Sequence, residues 1–172
     1  MVCKVNKVQN VSRNCIVCGI ESGLSLKTQF FEVEGGLLVA VPHIKDGHQS
    51  FPGRMHGGMI TALLDEVIGR AYQIEYPGDW GVTGELTTRY LKPVPLDKPI
   101  LAVGRITQST ERLFFGDGKI ILAESGQVLA ACVAKYFRLP IEKIAGDAFT
   151  HTDWFADVRP APESIALPDG LF

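Results

Sequence analysis

The residues with chemistry to offer cluster in one stretch. Phe51-Pro52-Gly53-Arg54-Met55-His56-Gly57-Gly58 is followed, after six residues, by Asp65-Glu66. The run from Gly57 to Tyr72 is rich in Ala, Leu, Ile and Met and is predicted to be one helix, apolar nearly all round and therefore buried. His-Gly-Gly opens it, where backbone N–H groups have no intrahelical carbonyl to pair with. Glycine lets a ligand approach that backbone closely, and the positive end of the helix dipole lies there. Such an N-terminus suits a carbonyl oxygen that becomes negative during reaction. Further along, Glu66 has Arg70 at i+4 and is expected to form an ordinary surface ion pair. Asp65 has no basic residue three or four positions away in either direction; those positions are Thr61, Ala62, Ile68 and Gly69. An unpaired carboxylate on a buried helix is costly unless hydrogen-bonded or shifted in pKa, which makes Asp65 a candidate base or nucleophile.

Distance then constrains the chemistry. Gly57 and Asp65 are eight residues apart, about 12 Å along a helix at 1.5 Å per residue. One reacting carbonyl cannot touch both in one chain. If both act on one substrate, a second copy must bring its Asp65 to the first copy's helix N-terminus, as antiparallel helices across a two-fold axis would do. The catalytic reading therefore requires a homodimer; a dimer of dimers is the open alternative.

The elements that must position these residues follow from the flanking sequence. Two strands, about Leu24–Val33 and Leu37–His43, flank the turn Glu34-Gly35-Gly36, a hairpin signal. Lys45–Arg54 is a loop. Tyr76-Pro77-Gly78-Asp79 stops the helix. Four more strands are expected at Gly81–Tyr90, Ile100–Gln108, Lys119–Ser125 and Val128–Leu139, with Gly116-Asp117-Gly118 preceding the third. Residues 1–14 are polar without a clear period. Pro140–Phe172 is expected to be an irregular arm, packed through Trp154, Phe155 and Phe172. The chain thus divides into a domain over residues 1–139 and an arm over 140–172. Short turns imply an antiparallel sheet. About six strands around one long helix make an α+β fold rather than a βαβ alternation.

Composition sets the outer bounds. The chain has 172 residues and a formal net charge of −2, with 46% hydrophobic and 21% charged residues. This fits one folded domain and not a disordered chain. A pI near 6.1 argues against a protein built to bind nucleic acid. No apolar run reaches the roughly 18 residues of a membrane span, and the N-terminus lacks an apolar signal core, so the expected place is the cytoplasm. Four cysteines do not look like a disulfide framework. Cys15-x-x-Cys18 has no second close pair for a tetrahedral metal site and no βαβ context for a redox motif, and is expected to be two buried thiols.

The pattern Pro-Gly-x-x-His-Gly-Gly, six residues, Asp-Glu resembles the hotdog-fold acyl-CoA thioesterases of the phenylacetate-degradation type. Cys15-x-x-Cys18-Gly19 followed by Gly23-Leu24 is similar to an N-terminal signature of one branch, and Thr87-Thr88-Arg89-Tyr90-Leu91-Lys92-Pro93-Val94-Pro95 matches the strand after the helix. The resemblance covers roughly residues 14–139. It implies thioester hydrolysis without metal or cofactor, acyl-coenzyme A being the substrate. The Gly57 N–H, aided by Gly58, would polarise the carbonyl; Asp65 of the second subunit would activate water or attack; Thr83 would orient the water; His56 would organise the loop. Many members have an Asn six residues before the His; here it is Ser50, a candidate substitute. Asn-Pro is likewise missing before Gly23-Leu24. Arg54, Arg89, Lys92 and Arg112 are candidates for the coenzyme A phosphates. The competing readings are a non-catalytic acyl-CoA-binding module and a dehydratase or hydratase of the same fold. In the dehydratase case the catalytic Glu would fall near Ala62. Acyl carrier protein in place of coenzyme A stays open.

Overall fold

The apolar stretch after His56 forms the long helix α1 (Gly57–Ala71), continued by a 3-10 turn at Tyr72–Ile74. It is held in a computed structural model that describes residues 1–150 and 152–172. In chain order the strands are β1 (Val2–Val8), β2 (Val11–Ser12), β3 (Gln29–Val33), β4 (Leu37–Val41), β5 (Gly81–Tyr90), β6 (Ile100–Ser109), β7 (Leu113–Leu122), β8 (Val128–Arg138), β9 (Trp154–Phe155) and β10 (Ser164–Ala166), with a short helix α2 (Ile141–Ala145) after β8. Eight strands make one antiparallel sheet in the order β10-β1-β3-β4-β6-β7-β8-β5, and β2 pairs with β9. The sheet meets α1 along β4, β5, β6, β7 and β8, so the expected α+β arrangement of an antiparallel sheet around one helix holds.

The helix sits where side chains are missing. A Cβ on Gly104 of β6 would lie 2.8 Å from the Val67 carbonyl oxygen, and Cβ atoms on Gly116 and Gly118 of β7 would lie 2.5 and 2.8 Å from Ile68. This corrects the expectation that Gly116-Asp117-Gly118 precedes a strand. The three residues lie inside β7, and the glycines make room for α1 rather than for a turn. The Gly35-Gly36 hairpin forms as expected, with φ of 83° and 71° at the two glycines, the left-handed pair that a tight strand connection needs.

Both faces of the sheet carry an apolar cluster. Leu63, Leu64, Val67 and Ile68 of α1 pack with Phe30, Leu38, Ala102 and Ile120. On the opposite face Phe31, Val39, Val103 and Ile121 pack with Ile165, Leu167 and Leu171 from the C-terminal stretch. The two ends of the chain therefore differ from expectation. Residues 2–8 form a strand between β3 and β10, and the stretch expected to be irregular supplies α2, β9 and β10. β1 shows no clear period because only Cys3 in it is buried. β3 starts at Gln29 rather than Leu24 because residues 15–28 are tied to one another, with Leu26 and Thr28 N–H donating to the Ile16 and Val17 carbonyls. Among the described residues no helix is long and apolar enough to cross a membrane.

Candidate active site

The two ends of α1 carry two different sets of polar groups. At the N-terminus His56 is the N-cap, with extended backbone, and its Nδ1 accepts the Gly58 N–H at 2.9 Å. An imidazole nitrogen that accepts is unprotonated, so the ring proton resides on Nε2. This corrects the expectation that Gly58 aids Gly57 as a donor, because its N–H is already occupied. The Gly57 N–H has no partner among the described residues. Tyr90, at the end of β5, donates from its hydroxyl to the Gly57 carbonyl at 3.1 Å, and Thr61 Oγ1 lies 2.6 Å from the same hydroxyl. Ser50 is held in the preceding loop, its N–H on the Arg54 carbonyl at 2.9 Å. Ser50, Arg54, Gly57, Tyr90 and Lys92 line one open cavity of about 480 Å³.

Two turns later Asp65 lies in a different setting. Its Oδ1 accepts from Thr83 Oγ1 of β5 at 2.9 Å and from the Tyr136 hydroxyl of β8 at 3.0 Å, a proton that Tyr136 shares with the Asp65 carbonyl at 2.8 Å. The sequence expectation of an unpaired carboxylate holds: Asp65 makes no salt bridge among the described residues. Burial raises its pKa above the ordinary carboxylate value, against the two donors, which lower it, and with a small push from the Glu66 charge. Tyr136 is buried and its own pKa is raised, by burial first and then by the Asp65 charge, so it stays a neutral donor.

Tyr136 is placed by an aromatic column. Its ring stacks on Phe114 at 4.8 Å, and Phe114 stacks on Tyr72 at 4.0 Å. Two glycines leave space for this column: a Cβ on Gly81 would come within 2.4 Å of the Phe114 ring, and one on Gly69 within 3.2 Å of Tyr136. A pocket of about 140 Å³ opens beside Asp65, bounded by Gly69, Arg70, Trp80, Tyr136 and Trp154. Trp80 and Trp154 meet edge to face at 5.1 Å. The C-terminal stretch thus supplies part of the wall.

Arg70 is not the surface partner the i+4 spacing suggests. It bonds Glu66 at 2.7 Å but is only 5% exposed. Its guanidinium lies between the rings of Phe30, at 4.2 Å, and Trp154, at 4.4 Å. Those rings come from β3 and β9, which helical spacing cannot reveal.

Of the basic residues singled out in the sequence, only Arg54 and Lys92 share the Gly57 cavity. Thr88 and Tyr90 reach α1, so strand alternation turns Arg89 to the opposite face. Arg112 sits in the turn between β6 and β7, where its carbonyl accepts from the Arg138 N–H. Tyr136, Trp80 and Trp154 were missed by sequence reasoning, because nothing local links them to Asp65. Tyr90 was signalled only as part of the Thr87–Pro95 segment.

Residues 52–129 match the family model described as the thioesterase superfamily. No curated protein matches. Among solved structures, a thioesterase superfamily protein is 30% identical with a TM-score of 0.66; the alignment covers 74% of this chain and 61% of that one, so this chain spans about three-fifths of that protein's length. A Bacillus halodurans protein solved with CoA is 25% identical with a TM-score of 0.60, over 67% of this chain and 76% of that one. The Escherichia coli PaaI protein of the phenylacetic acid degradation operon shares the fold at 18% identity and a TM-score of 0.59, over 66% and 80% of the two chains. Residues 52–129 thus resemble the thioesterase superfamily, and the fold that carries them is the hotdog.

Proposed function

We propose that the protein hydrolyses an acyl-coenzyme A thioester at a site completed by a second copy of the chain. The observation that carries this is the course of β5. One end of β5 holds Thr83 against Asp65, and the other holds Tyr90 against Gly57. β5 is also the edge of the sheet, paired among the described residues with β8 alone. An exposed ten-residue edge is a template for another strand. Antiparallel pairing of β5 with itself about a two-fold axis at Thr87, with the bulge between Thr83 and Glu85 taking up the odd residue, sets Thr83 of one copy opposite Tyr90 of the other. Asp65 of each copy then faces the Gly57 N–H of its partner, which bridges the gap of about 12 Å within one helix.

In this reading the thioester oxygen rests on the unpartnered Gly57 N–H at the positive helix end, where charge developing in the transition state is stabilised. His56 Nε2–H points the second donor of the loop at the thioester. Asp65 of the other copy takes a proton from water through Oδ2, because Oδ1 already accepts two hydrogen bonds. Water oxygen bonds to the acyl carbon, the carbon–sulfur bond breaks, and coenzyme A leaves as the thiol once it regains the proton. Thr83 and Tyr136 hold the base in place. Arg54 and Lys92 meet the phosphates beside the Gly57 cavity, with Ser50 where the family has Asn. The Bacillus halodurans relative solved with CoA supports this choice of ligand.

The test is complementation between two inactive chains. Asp65→Asn removes the base. Gly57→Pro removes the N–H, at a first helical position where proline is tolerated, after an extended His56 as a residue preceding proline requires. Each alone is expected to be nearly inactive on a panel of acyl-CoAs. Mixed in equal amounts and reassembled, they are expected to recover about a quarter of wild-type activity, since half the dimers are mixed and each has one intact site. No recovery in verified mixed dimers overturns the shared site. Full activity of Asp65→Asn, or tight acyl-CoA binding by the wild type without turnover, overturns the enzymatic reading.

A further inference from the structure

The Cys15-x-x-Cys18 motif is not absorbed by this chemistry, yet the fold brings it to the back of the Asp65 pocket. Residues 15–19 form a single tight turn in which the Gly19 N–H donates to the Cys15 carbonyl at 2.8 Å. A Cβ on Gly19 would lie 2.4 Å from that carbonyl oxygen, so the turn depends on glycine. The turn faces the two sulfurs toward each other: Cys15 Sγ, Cys18 Sγ and a Glu66 carboxylate oxygen all lie within 4.8 Å of one another. Cys18 is fully buried and Cys15 half-buried. Arg70 donates from Nη2 to Cys18 Sγ at 3.0 Å, and the Ser12 hydroxyl lies 3.3 Å from the same sulfur.

Two cysteines and a carboxylate also suggest a cation site. Arg70 argues otherwise, since its guanidinium already occupies lone pairs of both Cys18 and Glu66 and puts a fixed positive charge where the ion would go. The same guanidinium favours a thiolate. The neighbouring Cys15 thiol, with the Arg70 charge assisting, draws the Cys18 pKa down against the effect of burial, while Cys15 itself is pushed up.

We propose that Cys15 and Cys18 are a redox-active dithiol that a hydroperoxide closes to a disulfide, releasing Arg70 from Cys18 beside the Asp65 pocket. Cys15 is the less buried of the two cysteines. As it reacts, the proton it shares passes to Cys18; its sulfur attacks the peroxide oxygen, giving the sulfenic acid and a hydroxide that a solvent proton turns into one water. Cys18, again as thiolate, attacks the Cys15 sulfur; the sulfur–sulfur bond forms and hydroxide leaves, taking up the Cys18 proton as a second water. Two thiols lose two electrons and two protons, and the peroxide is reduced to two waters. A dithiol reductant reverses the closure. The thiolate that Arg70 held is then gone, and Arg70 is stacked on Trp154 in the pocket wall.

Both cysteines lie in the tryptic peptide 14–27, which makes the test direct. Native protein is treated with hydrogen peroxide, then denatured and alkylated. The expected result is loss of two of the four thiols, a peptide 14–27 lighter by two hydrogens and resistant to alkylation, and recovery with dithiothreitol. Tryptophan emission should shift reversibly in step, since the chain's two tryptophans are Trp80 and Trp154 of the pocket wall. In Cys18→Ser, Cys15 should stop at a sulfenic acid that dimedone traps. Cys15 oxidising no faster than the buried Cys3 and Cys132, or peptide 14–27 remaining fully alkylated, overturns the proposal. So does a stoichiometric metal ion in the purified wild type that Cys15→Ser abolishes. None of these readouts uses hydrolysis, so failure here is distinct from failure of the thioesterase reading.

Discussion

The two ends of α1 are built by opposite means. The N-terminal end is mainly local: His56 caps Gly58 two residues away, the Ser50–Arg54 loop closes on itself, and Tyr90 of β5 adds a distant contact to the Gly57 carbonyl beside the open cavity. The Asp65 end is assembled from afar. Its donors come from 18 and 71 residues away, and its wall includes Trp154 from the C-terminal stretch. The local end offers one free N–H and depends on backbone; the distant end tunes one carboxylate and depends on packing. The first tolerates change around it as long as the N–H survives, whereas the second is sensitive to any shift in the aromatic column.

The sharpest way to break this contrast is to remove each end's one functional group. Asp65→Asn is expected to lower kcat by about 10²–10⁴-fold, the range for a positioned base, and Gly57→Pro by about 10²–10³-fold, the range for an oxyanion donor. Only the first should leave thermal stability equal or higher. The sign follows from linkage: folding raises the Asp65 pKa, so the folded state disfavours the ionised form. That penalty is complete above the folded pKa and fades as pH falls through it toward the unfolded value. Asparagine carries no such penalty. A Tm that drops markedly in Asp65→Asn would show that the carboxylate is structural.

Gly104→Val attacks what the two ends share, the seat of α1. The added carbons meet the Val67 carbonyl, and overpacking of this kind is expected to remove about 1–3 kcal/mol of stability. Urea unfolding that gives an unchanged midpoint would mean that the helix is free to lift off β6.

Tyr136→Phe is the next step down. It removes one donor to the carboxylate, so the Asp65 pKa should rise further, and the acid limb of the kcat/KM profile should move to higher pH. Stability should fall by about 0.5–1.5 kcal/mol for the lost hydrogen bond. An acid limb that stays in place would separate Asp65 from the rate-determining ionisation. The smallest effect is expected from the basic residues. Arg54→Ala should raise KM for acyl-CoA several-fold by removing a charged phosphate contact, while Arg112→Ala leaves it unchanged. Equal KM values for the two would place the nucleotide elsewhere.

Much of this molecule is legible in its sequence. The helix and its start at Gly57 follow from composition and from a His-Gly-Gly junction whose cap is two residues long. The lack of a basic partner for Asp65 follows from helical spacing alone, and so does the mismatch between one helix and one reacting carbonyl. Apart from the Gly58 N–H, which His56 occupies two residues away, the differences trace to contacts between distant residues. Gly116-Asp117-Gly118 has turn composition but lies in β7, because Ile68 needs the space. Residues 2–8 look polar yet form a strand, because β3 and β10 supply its hydrogen bonds. Arg70 looked like one half of a surface pair, yet rings from β3 and β9 close over it.

The sequence by itself determined the helix, its capped and partly unpaired N-terminus, and the distance of about 12 Å along it between Gly57 and Asp65. These rest on periodicity and on interactions within a few residues, which the order of amino acids specifies directly. Only the tertiary structure decided that Tyr136 holds Asp65, that Arg70 is buried on Cys18, and that β5 links the Asp65 and Gly57 ends of α1 along the sheet edge. Those outcomes depend on which surfaces exclude water together. That is a property of strands and helices far apart in the chain, and no local spacing encodes it.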